Sequence, residues 1–203
     1  MPTLVVPFRG AEGKSRLGLP TAADRAAVSR AMLADVVAAC AAVGPTFVVT
    51  PEPGAVAGAT VVAELQPGQG SAVEAGLAAA TRVPQHDAEH GPAPVLVVNA
   101  DLPCVTSADL LALAAAAPQY GLAIAPAADG TTNALALSSA SLFVPVYGPG
   151  SAGRFATLGR SRLLELPNLV DDVDTVADLE RLESRLGPHT RRVLASLRAG
   201  AAA

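Results

Sequence analysis

Residues 9–18 form a glycine-rich segment in which two cations, Lys14 and Arg16, follow Gly13 closely. Backbone N–H groups in such a loop can hold phosphate oxygens, an arginine can bind a phosphate with two hydrogen bonds, and a lysine acts as a point charge. The glycines do not have the spacing of a P-loop, which requires G-x-x-x-x-G-K-S/T. The residues of this segment alone leave two equal alternatives, a phosphate site and a solvated basic loop.

One carboxylate, Asp101, follows the most apolar predicted strand, residues 95–99. Because an α/β sheet presents ligand-binding residues at the carboxyl ends of its strands, Asp101 stands where a metal ligand is expected. The alternative is an ordinary aspartate turn closed by Pro103.

Three carboxylates lie within four residues in the segment 170–175. In an extended chain Asp172 and Asp174 point to the same side, so the two can grip one cation together. Magnesium accepts one or two carboxylates together with substrate phosphates, which is the arrangement that this spacing offers. The alternative is the acidic start of a helix, for which a single aspartate would suffice.

Apolar runs and helical periodicities alternate along the chain, which predicts an α/β fold. The predicted strands cover residues 4–8, 46–50, 60–65, 95–99, 122–126 and 133–137, and the predicted helices cover residues 21–43, 71–81 and 107–116. Three helix starts, at Thr21, Thr106 and Thr175, match S/T-x-x-D/E and predict capping boxes. We therefore expect a single-domain, doubly wound, mostly parallel sheet with helices on both faces.

The composition indicates a cytoplasmic protein without a nucleic-acid or membrane surface. The net charge is −4 and the isoelectric point is about 5.3, which argues against nucleic-acid binding. The apolar stretches are shorter than the ~20 residues that cross a bilayer, and the first residues lack the pattern of a signal peptide. Cys40 and Cys104 have no metal-site spacing and are expected to be buried, reduced thiols.

No linker divides the chain, so one domain is predicted over residues 1–187, with a helical tail over residues 188–203. Residues 84–94 form a polar, proline-bounded stretch that predicts a surface loop. His86 and His90 have helical i, i+4 spacing within this loop, but no further ligand lies nearby in the sequence. We interpret them as solvated surface residues.

Five motifs in order resemble one known family. They are Lys14-Ser-Arg-Leu, Ala100-Asp-Leu-Pro, Gly130-Thr-Thr-Asn-Ala-Leu, Tyr147-Gly-Pro-Gly-Ser and Asp172-Val-Asp-Thr-Val-Ala-Asp-Leu. The chain resembles, over residues 3–186, the 2-phospho-L-lactate and phosphoenolpyruvate guanylyltransferases (CofC/FbiD) of coenzyme F(420) biosynthesis, whose fold is similar to that of the molybdopterin guanylyltransferases. It departs from the family pattern at residues 68–72, where Gly-Gln-Gly-Ser-Ala stands in place of a Leu-Asn pair before a helix.

The resemblance implies four sets of site residues. The catalytic residues would be Lys14 and Arg16, on the triphosphate. The nucleotide would contact Pro7, Gly13, Lys14, Arg16, Gly70 and Ser71. The magnesium ligands would be Asp101, Asp172 and Asp174. The acceptor acid would be held around Thr132, Asn133, Gly148 and Ser151, because the turn at 147–151 can expose backbone N–H groups to an anion.

The implied reaction moves GMP from GTP onto phosphoenolpyruvate or 2-phospho-L-lactate and releases pyrophosphate, with Mg²⁺ as the cofactor. The alanine-rich composition, typical of a high-GC bacterial genome, favours phosphoenolpyruvate. Two alternatives are a nucleotidyltransferase of the same fold acting on a sugar phosphate or molybdopterin, and a non-catalytic nucleotide-binding module. The expected partners are GTP and a small phosphorylated acid, with a homodimer left open and neither nucleic acid nor a membrane involved.

Overall fold

The computed structural model describes residues 1–11, 14–52, 54, 56–82, 93–119 and 121–201. Its strands are β1 (Thr3–Pro7), β2 (Thr46–Thr50), β3 (Thr60–Ala63), β4 (Val95–Val98), β5 (Leu122–Pro126), β6 (Thr132–Leu137) and β7 (Ser161–Leu163). Its helices are α1 (Ala22–Ala41), α2 (Gln69–Ala80), α3 (Ser107–Ala116), α4 (Ser151–Ala156), α5 (Pro167–Val170), α6 (Val176–Arg181) and α7 (Pro188–Ala201). Each predicted strand and helix is present, with ends that differ by at most two residues.

The strands form one sheet in the order β3-β2-β1-β4-β6-β5-β7. Every neighbouring pair is parallel except those of β6, which runs antiparallel to both β4 and β5. Strands β5 and β6 are joined by a turn at Asp129-Gly130, where Gly130 has a φ of 81°. The mostly parallel sheet is confirmed, and the carboxyl ends of β1 to β4 meet at one edge.

Helices cover both faces of the sheet. Within each strand, alternate residues face opposite sides, so Leu4 and Val6 of β1 pack with α1 and α3, whereas Val5 packs with α2 and α4. Because β1 and β4 are covered on both faces, they are continuously apolar, and this is why the sequence shows them as uninterrupted runs.

The three predicted capping boxes are present. Thr21, Thr106 and Thr175 each accept a hydrogen bond from the backbone N–H of the aspartate three residues later. That aspartate in turn accepts one from the backbone N–H of the threonine. These bonds fix where α1, α3 and α6 begin, and therefore where the preceding loops end.

Helix α7 packs against α1 and covers an apolar cluster that is separate from the two clusters on the faces of the sheet. The carboxylate of Asp35, on α1, accepts the backbone N–H groups of His189 and Thr190 at 2.9 Å each. The helix predicted for the end of the chain is therefore docked, while the division into a domain and a tail at residue 188 stays a prediction.

Two further observations concern the chain as a whole. No described helix combines the length and the apolar character that crossing a bilayer requires. The predicted surface loop, with His86 and His90, lies almost entirely outside the described residues, since the description is interrupted over 83–92.

Candidate active site

A cleft with a volume of about 540 Å³ opens at the carboxyl ends of β1 to β4. The loop after β1 contributes Arg9, Gly10, Lys14 and Arg16, and the loop after β4 contributes Asn99 and Asp101. The other polar side chains that line it come from Ser29, Glu64, Gln69 and Asp174. The cleft lies where open α/β sheets bind ligands.

Lys14 is the central cation of this cleft. Its Nζ donates to Asp101 Oδ2 at 2.7 Å, to Asp174 Oδ1 at 2.6 Å and to the backbone carbonyl of Val173 at 2.8 Å. Burial alone would lower the pKa of Lys14, but the two carboxylates raise it above the usual value. The family resemblance implies that Lys14 binds a phosphate, whereas in the structure two of its hydrogen bonds go to carboxylates and the third goes to a backbone carbonyl.

Asp101, Asp172 and Asp174 converge, as the sequence predicts. Each offers one carboxylate oxygen, and these oxygens lie within 4.8 Å of one another. Oδ1 of Asp101 is buried and accepts no hydrogen bond from the described residues. A set of oxygen donors with one unpaired lone-pair site suits a hard divalent cation, so the residues fit a metal ion.

The pKa of Asp172 is raised. Burial is the main cause, and the negative charge of Asp101 adds to it. The amide of Asn133 lies 3.5 Å from Asp172 Oδ1 and partly offsets these effects. Three carboxylates at this separation repel one another unless a cation is present, and Lys14 supplies one positive charge.

The fold presents Asp172 and Asp174 by burying the residue between them. The side chain of Val173 is fully buried in the cluster beneath α7, and its N–H donates to the carbonyl of Asp101 at 3.0 Å. Asp172 and Asp174 therefore lie on the same side of this extended segment, as the spacing predicts, and Asp174 lines the cleft itself.

Asp171 anchors the same segment from outside the cleft. Arg181 donates to its Oδ1 at 2.7 Å and Arg185 to its Oδ2 at 2.8 Å. Burial alone would raise the pKa of Asp171, but these two hydrogen bonds outweigh it, and the pKa lies below its usual value. This clamp was not predicted from the sequence. The signal for it was that the run contains one more aspartate, Asp171, than the two assigned to the metal.

Glu52 holds the loop after β1, a role that was not predicted from the sequence. One of its carboxylate oxygens accepts the N–H of Ala11 at 2.6 Å, and the other pairs with Arg30 at 3.2 Å.

Arg16 lines the cleft, is exposed, and makes no hydrogen bond to a residue that the structure describes. Pro7 lines the cleft as predicted, and Gly13 lies outside the described residues.

The four residues predicted for the acceptor lie around β6 and the start of α4, and none of them is among the residues that line the cleft. Thr132 and Ser151 are buried and share a hydrogen bond of 3.0 Å between their hydroxyl groups. Gly148 has a φ of 108° and its carbonyl accepts the N–H of Ser151 at 3.0 Å. Asn133 is the member that reaches the acidic group, because its amide lies near Asp172.

Gly68, which precedes α2, and Gln69, the first residue of α2, line the cleft, where Gly70 and Ser71 were expected. Gly70 packs against Pro145, and a β-carbon at Gly70 would lie 2.6 Å from that proline. Gln69 donates to Asn99 Oδ1 at 2.8 Å and so ties this loop to the end of β4. The roles of Gly70 and Ser71 stay predictions.

Comparison with known proteins agrees with this geometry. The family described as the MobA-like NTP transferase domain matches residues 15–165. Two curated relatives named phosphoenolpyruvate guanylyltransferase are each 37% identical to this chain. That of Sphaerobacter thermophilus aligns over 88% of this chain and 90% of its own length, and that of Streptomyces coelicolor over 96% of each. This chain belongs to the MobA-like NTP transferase family.

The MobA-like NTP transferase fold is also found in solved structures. A protein of Desulfovibrio desulfuricans G20, named for the nucleotide-diphospho-sugar transferases, has a TM-score of 0.73 and 17% identity. The superposition covers 98% of this chain and 95% of that one. The resemblance seen in the sequence is thus confirmed, and the protein is a nucleotidyltransferase with an acidic group that fits a divalent metal.

Proposed function

We propose that this nucleotidyltransferase is a guanylyltransferase that moves GMP from GTP onto phosphoenolpyruvate. The observation that carries the proposal is the convergence of Lys14 with Asp101, Asp172 and Asp174 at the carboxyl ends of the strands. Relatives named for this reaction align along almost the whole chain, which supports the choice of base and acceptor.

In the proposed reaction, a phosphate oxygen of the acceptor attacks the α-phosphorus of GTP, and the bond to the β-phosphate breaks as pyrophosphate leaves. The acceptor phosphate is anionic near neutral pH, so no side chain has to remove a proton. Catalysis then depends on positioning and on compensating negative charge. This agrees with a cleft that contains cations and carboxylates.

Each residue has a defined part in this proposal. The carboxylates of Asp101, Asp172 and Asp174 would hold Mg²⁺, which neutralises phosphate charge when bound. Arg16, which has no partner among the described residues, would bind the triphosphate, and Lys14 would join it once released from the carboxylates. Gly13 would contribute backbone contacts from the same loop.

We place the acceptor beside the acidic group, near Asn133 and the turn at Gly148. The hydroxyls of Thr132 and Ser151 already bond to each other, so these two residues would shape the pocket from behind. Asn133 is also buried and donates to the carbonyl of Leu169 at 2.9 Å, so it would act on the metal side by orienting Asp172.

The reaction is tested by incubating the purified protein with GTP, Mg²⁺ and one acid at a time, and measuring pyrophosphate. The acids are phosphoenolpyruvate, 2-phospho-L-lactate and 3-phospho-D-glycerate, and we expect the fastest release with the first. Asp172→Asn and Asp174→Asn should abolish release, while Glu183→Gln, which alters an exposed pair with Arg198, should not. Release with a sugar 1-phosphate but with none of the acids would overturn the proposal.

A further inference from the structure

The guanidinium group of Arg154, on α4, holds the turn that precedes this helix. Its Nη2 donates to the carbonyl of Val146 at 2.9 Å and to that of Tyr147 at 3.0 Å, and its Nη1 donates to the carbonyl of Pro149 at 2.5 Å. Its Nε also donates to the carbonyl of Val146, at 3.1 Å. Within the described part of the chain, all side-chain hydrogen bonds of Arg154 go to this turn, and none goes to a carboxylate.

These hydrogen bonds fix the direction of three peptide groups. In a trans peptide, the carbonyl of one residue and the N–H of the next point in opposite directions. The carbonyls of Val146, Tyr147 and Pro149 point at the guanidinium. The N–H groups of Tyr147, Gly148 and Gly150 therefore point away from it. No residue that the structure describes accepts a hydrogen bond from any of these three N–H groups.

The conformation of the turn suits an anion. Gly148 has a φ of 108° and Gly150 has a φ of 69°, values that side chains disfavour and glycine adopts readily. The carbonyl of Gly148 accepts the N–H of Ser151 at 3.0 Å, so it is occupied within the turn as well. Backbone N–H groups that are free in such a turn, while its carbonyls are bonded elsewhere, form an anion-binding concavity.

Hydrogen bonds connect this turn to the cleft. The hydroxyl of Ser151, at the start of α4, bonds to the hydroxyl of Thr132 at 3.0 Å. The carbonyl of Thr132 accepts the side-chain amide of Asn99 at 3.2 Å, and Asn99 lines the cleft. The turn is therefore joined to the cleft on the side where the proposed function places the acceptor acid.

We propose that Arg154 is a positioning residue for the acceptor: it orients the three peptide groups of the turn so that their N–H groups receive the carboxylate of the phosphorylated acid. The inference rests on the proposed function and adds a residue to the four predicted for the acceptor. The phosphate of the acid is the attacking group and has to lie at the α-phosphate of GTP, so the carboxylate is the end left for the turn. Arg154 acts through the turn, because its donors are used by the carbonyls. A turn that is already fixed loses little conformational entropy when the acid binds, which raises the affinity.

The test measures binding of phosphoenolpyruvate by calorimetry in the presence of Mg²⁺ and α,β-methylene-GTP, whose P–C–P bridge prevents transfer. It is repeated with 2-phospho-L-lactate and 3-phospho-D-glycerate. We expect Arg154→Gln to weaken binding of the acid about tenfold, because water replaces the guanidinium and the turn loses its fixed conformation. Arg154→Lys should weaken it by a similar factor, since one ammonium does not reproduce the fork that bonds three carbonyls. Arg160→Gln, at an exposed arginine whose side chain has no hydrogen bond to a described residue, is the matched control.

Two further measurements separate positioning from a general effect on the fold. Binding of α,β-methylene-GTP itself should be unchanged in both Arg154 variants. In the pyrophosphate assay, the KM for the acid should rise about tenfold, while kcat at saturating acid should stay within about twofold of wild type, because Arg154 does not touch the reacting atoms.

Acid binding in Arg154→Gln equal to that of wild type would overturn the inference. Wild-type affinity in Arg154→Lys would do so too, since the charge at this position would then suffice without the directed hydrogen bonds. Loss of the nucleotide together with the acid would show that Arg154 supports the fold as a whole and not the acceptor. A wild type that binds none of the three acids would overturn both this inference and the proposed function. Acid binding that depends on Arg154 without any release of pyrophosphate from GTP would overturn the proposed function alone.

Discussion

At the scale of single residues, Lys14 and a metal ion would bind the same carboxylates. The ammonium lies 2.7 Å from Asp101 and 2.6 Å from Asp174, two of the three residues that fit the metal. Two cations on these carboxylates would be about 4 Å apart, where their repulsion amounts to several kcal/mol even at an effective dielectric constant of about 20. Lys14 must therefore leave before a metal binds, and a triphosphate gives it a new partner. The triphosphate and the metal should then bind cooperatively, each raising the affinity for the other.

Lys14→Met removes this competition. We expect the variant to bind Mn²⁺, used as a probe of the metal site, about tenfold more tightly than wild type when no nucleotide is present, a gain of about 1.4 kcal/mol. Added GTP should narrow the difference, because it draws Lys14 away from the carboxylates of the wild type. Mn²⁺ titration followed by electron paramagnetic resonance measures both effects. Arg16→Met, which leaves the carboxylates untouched, is the control, and an equal or weaker affinity in Lys14→Met would contradict the argument.

At the scale of elements, the contacts of Asp171 and Val173 hold the segment that carries Asp172 and Asp174 in place. Asp171 points away from the cleft and binds Arg181 and Arg185, while Val173 is buried. A partner that orients metal ligands without touching the metal contributes to affinity through their position.

Asp171→Ala should therefore weaken Mn²⁺ binding about tenfold although all three candidate ligands remain. The measurement is the same Mn²⁺ titration, with Arg185→Ala as a second route to the same loosening. Glu183→Ala breaks the exposed pair with Arg198 and should leave the affinity unchanged. If Asp171→Ala binds Mn²⁺ as the wild type does, the clamp has no part in the metal site.

The first turn of helix α7 is hydrogen-bonded to a single carboxylate of α1, that of Asp35. Asp35 is 5% exposed and accepts two backbone N–H groups of α7, and a β-carbon at Gly187 would lie 2.3 Å from its Cγ. Asp35→Ala leaves both donors without a partner and should lower the free energy of unfolding by about 2–4 kcal/mol. Asp35→Asn keeps one acceptor and should lose less. Urea unfolding measures this, and a loss in Asp35→Ala below about 0.5 kcal/mol would show that α7 is held by its apolar contacts alone.

At the scale of the whole molecule, local signals were predictable from the sequence and long-range pairings were not. The capping boxes at Thr21, Thr106 and Thr175 depend on residues three apart, and all three form. The rule that ligands lie at the carboxyl ends of strands predicted the place of Asp101, whereas its convergence with the segment 172–174 was implied only by the family resemblance. The contact of Lys14 with Asp174 joins residues 160 positions apart, and no local pattern encodes it.

The sheet order shows the same limit. Periodicity identified β5 and β6 as strands around a turn, but not that β6 lies between β4 and β5 and runs antiparallel to both. The three-residue strand β7 is too short to show a period and was not predicted.

The two cysteines report whether the interior of the folded protein is closed to reagents. Cys40 is fully buried and Cys104 is 3% exposed, as expected from the sequence. Burial raises the pKa of Cys40 from its ordinary value of 9.0 to about 12, and burial also raises the pKa of Cys104. Because the folded state holds these protons more tightly than the unfolded state, the thiols stabilise the fold fully below about pH 9, and that contribution is lost as the pH rises toward the folded-state values.

Neither thiol should therefore react with a disulfide reagent such as dithionitrobenzoate in the native protein near pH 8, whereas both should react in guanidinium chloride. The free energy of unfolding should stay level up to about pH 8 and fall above about pH 9, and it should fall less steeply in Cys40→Ala, which lacks the more strongly shifted thiol. Absorbance of the released thionitrobenzoate counts the reactive thiols, and denaturant unfolding at each pH gives the stability. If the native protein releases one equivalent at the rate of a free thiol, one of the two cysteines is accessible to the reagent, either Cys40 on α1 or Cys104 in the loop after β4. Labelling of the two single-cysteine variants identifies which one.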